Sequence, residues 1–600
     1  MTTSTSSVPR SEYPRPQFSR DSWLCLNGLW EFEADPGDSR LERGLLERPL
    51  NAQITVPFCP ESPLSGVDNP DFMNAVWYRR IVDIPSDWGD ARVLLHFQAV
   101  DYDTTVWVNG VEVGRHRGGF TPFCCDLAGV AGPGQQATIV VRARDFTRPP
   151  QALGKQSPLY HNHSCLYTRT TGIWQTVWME AVPVTALQRP RITPDVTNSC
   201  FHIEQRITNP RRGWTLRFRL LDSQGVVSET ACSTDQDFAP QIVLDIPEDR
   251  RCLWRPGAPH LYDIEIELCD ASGQIIDAAR SYAGLRSVSV DGKAIRLNGD
   301  IVFQRLVLDQ GYYPDGIMTA PSEEALVKDI ELSMEAGFNG ARLHQKVFEE
   351  RFLYHADRLG YLVWGEFGDW GCGGCGPSED HQQPGATYIT QWLEALERDY
   401  SHPSIIGWCP LNETWQPTSD RIRVLDDVTR GMFLATKAMD GTRPVLDTSG
   451  YAHRVREADV YDSHDYDQNV ETFKQRHDAL AEGTPFINEW GGQNMSVPYN
   501  GQPYFVSEFG GIWWNPAARE GEDSWGYGER PKTIDEFYAR FEGLCSALLD
   551  NPDMFGYCYT QLTDVFQEQN GIVGFDRSIK FDMARLRKVQ QKEAAIERQR

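Results

Sequence analysis

The stretch Ile405-Ile406-Gly407-Trp408-Cys409-Pro410-Leu411-Asn412-Glu413 is an apolar run with strand character that ends in an adjacent amide and carboxylate. In parallel barrels and doubly wound sheets, the reacting groups lie at the carboxyl ends of the strands. Asn412 and Glu413 are therefore candidate functional residues. An ordinary loop also supplies such a pair, so the rest of the chain has to decide between the two interpretations.

Seven more apolar runs occupy the chain after residue 285, where purely β patterning gives way to alternating strand and helix. Amphipathic segments at helical spacing, such as 323–336 and 534–549, lie between most of them. Eight strand–helix repeats over about 290 residues favour a (β/α)8 TIM barrel. The fifth connection, 451–459, has the weakest helical pattern, and 581–599 predicts a closing helix. The eight predicted strands are 303–308, 338–344, 362–367, 405–411, 444–448, 460–464, 504–507 and 555–560.

The chain before the barrel has the pattern of short β-strands. Apolar or alternating runs between residues 23 and 183 are separated by turn signals such as Asn109-Gly110 and Gly132-Pro133-Gly134, which predicts a β-sandwich of the jelly-roll kind. A shorter β unit of about a hundred residues suits an immunoglobulin-like sandwich. The predicted domains are a sugar-binding-like sandwich at 1–183, in which plain scaffolding is the alternative role, an immunoglobulin-like sandwich at 184–285 and a catalytic barrel at 286–600.

The composition restricts the possible partners and compartment. A net charge of -26 opposes nucleic-acid binding, because phosphate recognition needs concentrated Lys and Arg. No targeting segment and no apolar run near the ~18 residues of a membrane span is present, so we expect a cytoplasmic protein without a membrane partner. The 14 cysteines are scattered, and Cys372-Gly-Gly-Cys375 is either a glycine-rich loop or half of a metal site. A homo-oligomer is left open.

Polar residues end all eight predicted barrel strands, and eight polar tips in register favour a polar ligand. Glycoside hydrolysis needs two carboxylates on facing strands, a protonated acid and an ionised nucleophile, about 5 to 5.5 Å apart if the configuration is retained. Glu413 and Glu508 end the fourth and seventh runs, on opposite walls, and satisfy this requirement. The polar tip residues are Asp309, Gln310, Arg342, His344, Gln345, Glu366, Asn412, Glu413, Asp447, His464, Asp465, Ser507, Glu508, Thr560 and Gln561.

Several motifs, taken in order, resemble glycoside hydrolase family 2, which contains β-galactosidases, β-glucuronidases and β-mannosidases. The resemblance spans nearly the whole chain and implies the same three-domain order. It implies that Glu413 is the acid/base, that Glu508 is the nucleophile of a retaining exo-β-glycosidase, and that Asn412 holds the sugar 2-hydroxyl. The motifs are Leu26-Asn27-Gly28-Leu29-Trp30, Val106-Trp107-Val108-Asn109-Gly110, Thr171-Gly172-Ile173-Trp174-Gln175-Thr176-Val177-Trp178, Asn412-Glu413, Ser507-Glu508-Phe509-Gly510 and Tyr559-Thr560-Gln561-Leu562-Thr563-Asp564.

Several assignments at the predicted site have rivals. Glu489 also ends an apolar run and follows an asparagine, so it competes with Glu508 for the role of nucleophile. Two roles are open for Arg342 and Glu366, which either pair with each other or contact the substrate. Two roles are also open for Trp513 and Trp514, which either stack on a sugar or pack within a loop. The predicted substrate-binding residues are Asn412, His344, His464, Asp309, Trp513 and Gln561, with a structural role as the alternative for both histidines.

The sugar is the least determined part of the prediction. Glucuronidases of the family carry an Asn-x-Lys element for the sugar carboxylate, and here Asn570-Gly571-Ile572 has Ile in place of Lys, unless Arg342 or Arg577 substitutes. We therefore expect a neutral β-linked sugar, galactose first, with β-glucuronide, β-mannoside and pentoside as alternatives. A non-catalytic carbohydrate-binding protein and a metal-dependent hydrolase using His344, His464 and Asp465 are alternatives of other classes. No cofactor is expected, and an assisting Mg²⁺ or Na⁺ is left undecided.

Overall fold

The computed structural model describes residues 8–39, 42–146, 151–369, 386–414, 416–517 and 523–599. The predicted Cys372-x-x-Cys375 element therefore lies outside the described residues. Within these ranges the chain forms two β-sandwiches followed by a barrel of parallel strands. No helix in this part of the chain combines the length and the apolar character that crossing a membrane requires.

The first sandwich packs a six-stranded sheet, ordered β3-β2-β4-β10-β7-β8, against a four-stranded sheet, ordered β1-β12-β5-β9. Its core lies between the two sheets and contains Trp30, Tyr78 and Phe97, each at most 1% exposed. Strands β1 to β12 are Trp23–Cys25, Gly28–Ala34, Ala52–Val56, Ala75–Asp83, Arg92–Phe97, Val100–Asp101, Asp103–Val108, Val111–Arg117, Phe123–Asp126, Gln136–Arg144, Gly172–Ile173 and Val177–Val182.

The second sandwich packs the sheet β14-β15-β19 against β18-β17-β20-β21. Burial alternates along Thr215–Asp222, where Leu216, Phe218 and Leu220 are buried and the residues between them are not, as a sheet covered on one face requires. Strands β13 to β21 are Ala186–Leu187, Arg191–Asp195, Cys200–Glu204, Ile207–Thr208, Thr215–Asp222, Gly225–Ser233, Gln241–Asp245, Tyr262–Cys269 and Ile275–Ala283.

The third domain has a sheet of seven parallel strands in the order β28-β27-β26-β25-β33-β32-β29. A small sheet of β22 to β24 precedes it, and the hairpin of β30 and β31 is inserted before β32. Each strand of the large sheet is buried on both faces, as expected when helices cover it outside and side chains fill it inside. Strands β22 to β33 are Val288–Asp291, Ala294–Leu297, Asp300–Ile301, Gln304–Asp309, Gly340–Leu343, Leu362–Glu366, Ile405–Cys409, Tyr461–Asp465, Glu489–Trp490, Gln493–Asn494, Tyr504–Gly510 and Met554–Thr560.

The fifth barrel position differs from the prediction. Residues 444–448 form no regular strand, and segment 444–449 is joined to the fourth strand only by the bridges Trp408 to Val445 and Asn412 to Ser449. Segment 451–459, predicted as a weak helix, contains no helix. The reason is local, since the backbone N–H of Val445 donates to the Asp459 carboxylate and that of Asp459 to the Val445 carbonyl, which pins a short loop instead.

Seven α-helices lie among the described residues, and side-chain caps mark several of their starts. Ser322 caps α1, Asn469 caps α5, Thr533 caps α6 and Asp582 caps α7, each accepting from a backbone N–H of the first turn. The predicted closing helix is α7 followed by a 3-10 turn at Ala595–Arg598. Helices α1 to α7 are Glu323–Glu335, Glu350–Leu359, Ala386–Asp399, Val424–Met439, Val470–Asp478, Ile534–Leu549 and Met583–Gln590.

Two segments outside the barrel connect the sandwiches to it. The N-terminal arm is held by Arg20, which pairs with Glu180 of the first sandwich and Asp277 of the second, and by Arg10, which pairs with Glu349 of the barrel. The second segment, residues 151–171, is called the sandwich loop below. It connects β10 to β11 and packs over the barrel mouth.

Candidate active site

The two predicted catalytic carboxylates meet at the barrel mouth. Glu508 lies within β32, and Glu413 follows the end of β28 by four residues. A carboxylate oxygen of each lies within 4.8 Å of the other. This limit is compatible with the roughly 5 to 5.5 Å of retaining glycosidases and lies below the about 6.5 to 9.5 Å that leaves room for water in inverting ones.

His464, at the tip of β29, joins the two carboxylates. Its Nδ1 lies 2.8 Å from Glu413 Oε1 and 3.4 Å from Glu508 Oε2, and its Nε2 lies 2.9 Å from the Ser449 hydroxyl. Burial lowers the pKa of His464, but the charge of Glu508 and the hydrogen bond and charge of Glu413 outweigh it, so the pKa lies above its ordinary value. His464 therefore links the two acids at the barrel mouth.

Gly450 allows this histidine to approach the fifth barrel segment. A Cβ at Gly450 would lie 2.8 Å from an imidazole carbon of His464, and the residue has φ +84°, in the left-handed region. The neighbouring Ser449 carbonyl accepts the backbone N–H of Glu413 at 2.8 Å. The irregular fifth segment therefore positions both Glu413 and its histidine partner.

A buried ion-pair network lies beneath Glu508. Arg342 donates to the Glu508 carboxylate at 3.2 Å and to the Ser507 carbonyl at 2.6 Å, and it also pairs with Glu366, as predicted. His344 Nδ1 lies 3.1 Å from Glu366 and 3.8 Å from Glu508. Burial raises the pKa of Glu366, but the charge of Arg342 overcomes this and lowers it. His344 therefore contacts the two carboxylates at the base of the site. These contacts fit the structural role that was the alternative to substrate binding for this histidine.

Tyr466 completes the surroundings of Glu508, and sequence reasoning missed it. Its hydroxyl donates to Glu508 Oε2 at 2.6 Å and lies 3.1 Å from the Thr560 hydroxyl, while its ring stacks on Tyr527 with centroids 3.4 Å apart. Burial and the charge of Glu508 raise the pKa of Tyr466 well above its usual range, so it remains a hydrogen donor. The sequence does contain a signal for Tyr466, because this residue follows the tip of β29 and lies two residues after His464.

Two buried amides face the same space. Asn412 Oδ1 accepts from Arg342 at 3.2 Å, and no acceptor among the described residues contacts its Nδ2. Both side-chain polar atoms of Gln345 likewise have no partner there. Because an unsatisfied buried donor costs about 1 to 3 kcal/mol, these amides fit a ligand with hydroxyl groups. Glu413 and Gln345 also have φ values of +46° and +51°, a strained geometry that concentrates at functional sites.

The sandwich loop supplies a further wall of the site. The Tyr167 hydroxyl donates to Glu568 Oε2 at 2.5 Å, and Asn570 donates to the other oxygen of Glu568 at 3.1 Å. Gln561, a predicted substrate residue, donates to Asn570 Oδ1 at 2.8 Å, so its contacts are with this wall. Lys155, only 8% exposed, lies near enough to Glu568, Glu413 and Glu508 for their charges to act on it.

Other predicted residues have their contacts elsewhere. Asp309 accepts from the Gly311 backbone at 2.9 Å, and burial and the neighbouring Asp329 raise its pKa to about 7. Trp513 donates to Ser524 at 3.1 Å, and Trp514 packs on aromatic rings of the barrel core. The rival Glu489 is exposed on a short hairpin strand. The described contacts therefore place none of these four residues against Glu508.

A metal centre is less consistent with these contacts. Glu413, His464 and Glu508 offer three ligand atoms within 4.8 Å of one another, but Arg342 and Tyr466 already occupy the oxygens of Glu508. Asp465, which the metal-hydrolase alternative requires, pairs instead with Arg476 and His477. These contacts fit a pair of carboxylates that act directly on a substrate better than they fit a metal-activated water.

Family models match most of the chain in the same order as the domains. "Glycosyl hydrolases family 2, sugar binding domain" matches residues 23–179, "Glycosyl hydrolases family 2" matches 185–286, and "Glycosyl hydrolases family 2, TIM barrel domain" matches 319–510. The chain belongs to glycosyl hydrolase family 2. It is a glycosidase built from a sugar-binding sandwich, an immunoglobulin-like domain and a TIM barrel, which confirms the predicted family, fold class and enzyme class.

Curated proteins similar to this chain include β-glucuronidases of bacteria and mammals. The enzyme of Paenibacillus borealis is 28% identical over 428 residues, covering 67% of this chain and 69% of that protein. The enzyme of Homo sapiens is 26% identical over 484 residues, covering 73% and 71%. Among solved structures, the β-glucuronidase of Ruminococcus gnavus matches with a TM-score of 0.76 at 19% identity, covering 97% of this chain and 100% of that chain.

Proposed function

We propose that this family 2 glycosidase is a retaining exo-acting β-glucuronidase. The observation that carries the mechanism is the approach of the Glu413 and Glu508 oxygens to within 4.8 Å, with His464 between them. The choice of sugar is supported by the curated relatives, which are named β-glucuronidases and share about two thirds of their length with this chain. It replaces galactose, the sugar expected from the sequence, as the first candidate.

The proposed reaction has two displacement steps. The Glu508 carboxylate attacks the anomeric carbon while the Glu413 carboxyl gives its proton to the departing glycosidic oxygen. Glu413, now ionised, then takes a proton from a water that attacks the glycosyl ester, which releases the sugar and restores Glu508. Arg342 and Tyr466 orient Glu508 for the attack, since both donate hydrogen bonds to its carboxylate.

Asn412 and the sandwich loop support the binding of a terminal sugar. The Nδ2 of Asn412 suits the 2-hydroxyl, a contact that strengthens as the transition state gains oxocarbenium character. The loop closes one side of the mouth, since the Gly154 backbone N–H donates to the Gly368 carbonyl at 2.8 Å. A closed side favours a terminal residue over a polysaccharide that passes through the site.

A neutral β-glycoside is the second candidate. Ile572 occupies the position of the lysine in the Asn-x-Lys element, and its side chain is fully buried in the barrel core, so that position supplies no cation to the mouth. Arg577 does not substitute for the lysine, because it pairs with Asp329. Arg342 is likewise committed to Glu366 and Glu508.

A panel of p-nitrophenyl glycosides tests the proposal. We expect the β-glucuronide to have the highest kcat/KM among the β-glucuronide, β-galactoside, β-glucoside, β-mannoside and β-xyloside, and to release the β-anomer of the sugar first. The Glu508→Gln variant is the control for contaminating activity. A higher kcat/KM for the galactoside than for the glucuronide would contradict the choice of sugar, and initial release of the α-anomer would contradict the retaining mechanism.

A further inference from the structure

We propose that Lys155, carried by the sandwich loop, binds the carboxylate of the uronic acid and so sets the preference of this site for a charged sugar. The inference rests on the proposed function and deepens it by naming the residue responsible for substrate charge. It places this residue in the first sandwich rather than in the barrel. The cation would thus come from another domain than the two catalytic carboxylates.

The backbone on both sides of Lys155 is fixed. The preceding Gly154 donates to the Gly368 carbonyl and has φ +59°, and a Cβ there would lie 2.4 Å from the Gln345 carbonyl oxygen. The carbonyl of Lys155 accepts the Tyr167 backbone N–H at 2.8 Å. Because the Tyr167 hydroxyl in turn holds Glu568, the loop positions this lysine relative to the barrel mouth.

The surroundings of the ammonium keep it charged. Burial lowers the pKa of Lys155, but the neighbouring Cys165, Glu568, Glu413 and Glu508 outweigh it and raise the pKa to about 12. These same neighbours make the mouth acidic, so a uronate entering without a cation would be repelled. A buried ammonium among these acids removes the repulsion and supplies a charge-assisted hydrogen bond.

The neighbouring cations donate to backbone carbonyls. Arg169 of the same loop donates to the carbonyls of Leu159 and Pro70 and lies over the Phe72 ring. Lys346 donates to the carbonyls of Gly311 and Met318 at 2.6 and 2.7 Å. Lys155 differs from these cations in its position, because it lies on the sandwich loop, buried, where the charges of Glu568, Glu413 and Glu508 act on it.

A purely structural lysine makes a different prediction. If Lys155 only offset the charge of Glu568, its removal would disturb the mouth for every sugar alike. If it binds the carboxylate, its removal penalises the glucuronide selectively, because a glucoside has the same ring stereochemistry with a hydroxymethyl group in place of the carboxylate. The ratio of the two kcat/KM values therefore separates the two roles.

The experiment measures kcat and KM for p-nitrophenyl β-glucuronide and β-glucoside with the wild type, Lys155→Met, Lys155→Arg and the control Lys588→Met, whose lysine is exposed on α7. We expect Lys155→Met to lower the glucuronide/glucoside ratio about 10- to 100-fold, mainly through KM, since a hydrogen bond to a charged group contributes about that factor. Lys155→Arg should recover much of the ratio, and Lys588→Met should leave it unchanged.

Equal losses on both substrates in Lys155→Met would overturn the inference while leaving the proposed function intact. A wild type that hydrolyses only neutral glycosides would instead contradict the proposed function, and binding of D-glucuronate then decides the inference. Weaker binding of D-glucuronate, but not of D-glucose, by Lys155→Met than by the wild type in calorimetry supports it. Equal binding by the two proteins, or no binding, overturns it. Circular dichroism and thermal unfolding of each variant identify any failure to fold.

Discussion

Two walls of the active site are built differently. The barrel wall contributes Glu413, Glu508 and His464, and ion pairs with buried partners such as Arg342 hold it in place. The sandwich loop wall contributes Lys155 and Tyr167 from a connection between two strands of another domain. In our proposal the barrel wall breaks the glycosidic bond and the loop wall recognises the sugar.

The anchors of the two walls also differ in charge. The loop is held by three buried acids, because Gln156 donates to Asp101 at 2.9 Å, Gln151 donates to Asp145 at 2.7 Å and the Thr171 backbone donates to Glu61 at 3.1 Å. Burial raises the pKa of all three acids, to about 6 for Asp145 and about 7 for Glu61. These three acids therefore make the stability of the loop wall depend on pH.

The largest expected effect is the loss of the nucleophile. Glu508→Gln should lower kcat by about 10⁴-fold or more, since no other group can form the glycosyl ester. The matched control is Glu489→Gln, which removes the rival carboxylate from an exposed hairpin and should leave kcat near the wild-type value. Steady-state kinetics on p-nitrophenyl β-glucuronide measure both, and the reverse pattern would transfer the nucleophile to the hairpin.

The next effect concerns proton donation by Glu413. Glu413→Gln should lower kcat/KM by about 10²- to 10⁴-fold on a glycoside with a poor leaving group, such as a methyl glycoside. On a dinitrophenyl glycoside, whose leaving group needs no proton, the first step should be affected far less. Equal losses on the two substrates in pre-steady-state measurements would refute the role of acid.

A smaller effect is expected for Tyr466. Tyr466→Phe removes the hydroxyl that donates to Glu508 and should lower kcat about 10- to 100-fold, the usual contribution of a hydrogen bond to a charged group. Tyr354→Phe, on the outer helix α2, is the control. If Tyr466→Phe keeps the wild-type kcat, the tyrosine only packs against Tyr527.

The smallest expected effect is a change in how the stability of the protein depends on pH. The unfolded pKa of a glutamate is about 4.3, so Glu61, with a folded pKa of about 7, stabilises the protein below pH 4.3 and loses this contribution as the pH rises to 7. Glu61→Gln should remove this dependence. Between pH 5 and pH 8, the wild type should lose on the order of 1 to 3 kcal/mol more of its free energy of unfolding than the variant loses. Thermal unfolding midpoints at the two pH values measure it, and parallel shifts in both proteins would contradict it.

The sequence was sufficient to predict the barrel wall. Strand tips follow from apolar runs, and parallel strands bring their ends together, so the sequence predicts Glu413, Glu508 and His464 at one mouth. The prediction of a fifth strand was wrong, because contacts of Asp459 and Ser449 hold segment 444–449 in place of a continuous ladder of strand hydrogen bonds. A strand pattern cannot reveal such contacts.

The loop wall could not be predicted, because its residues reach the site only through domain packing. Lys155 and Tyr167 lie about 250 residues or more before Glu413 and carry no periodic signal that points to the barrel. Asp309 was expected at the substrate because it ends a strand, but burial beside Asp329 and the Gly311 backbone occupies its carboxylate. Position at a strand tip therefore selects candidates, and side-chain contacts decide among them.

Trapping of the covalent intermediate tests the central claim most directly. A 2-deoxy-2-fluoro-β-glucuronosyl fluoride slows hydrolysis of the glycosyl ester, so the sugar should accumulate on the nucleophile of the wild-type enzyme. Peptide mapping by mass spectrometry should place the label on Glu508, and Glu508→Gln should remain unlabelled. A label on Glu489 or another carboxylate would contradict the assignment, as would turnover of the compound without any labelled enzyme.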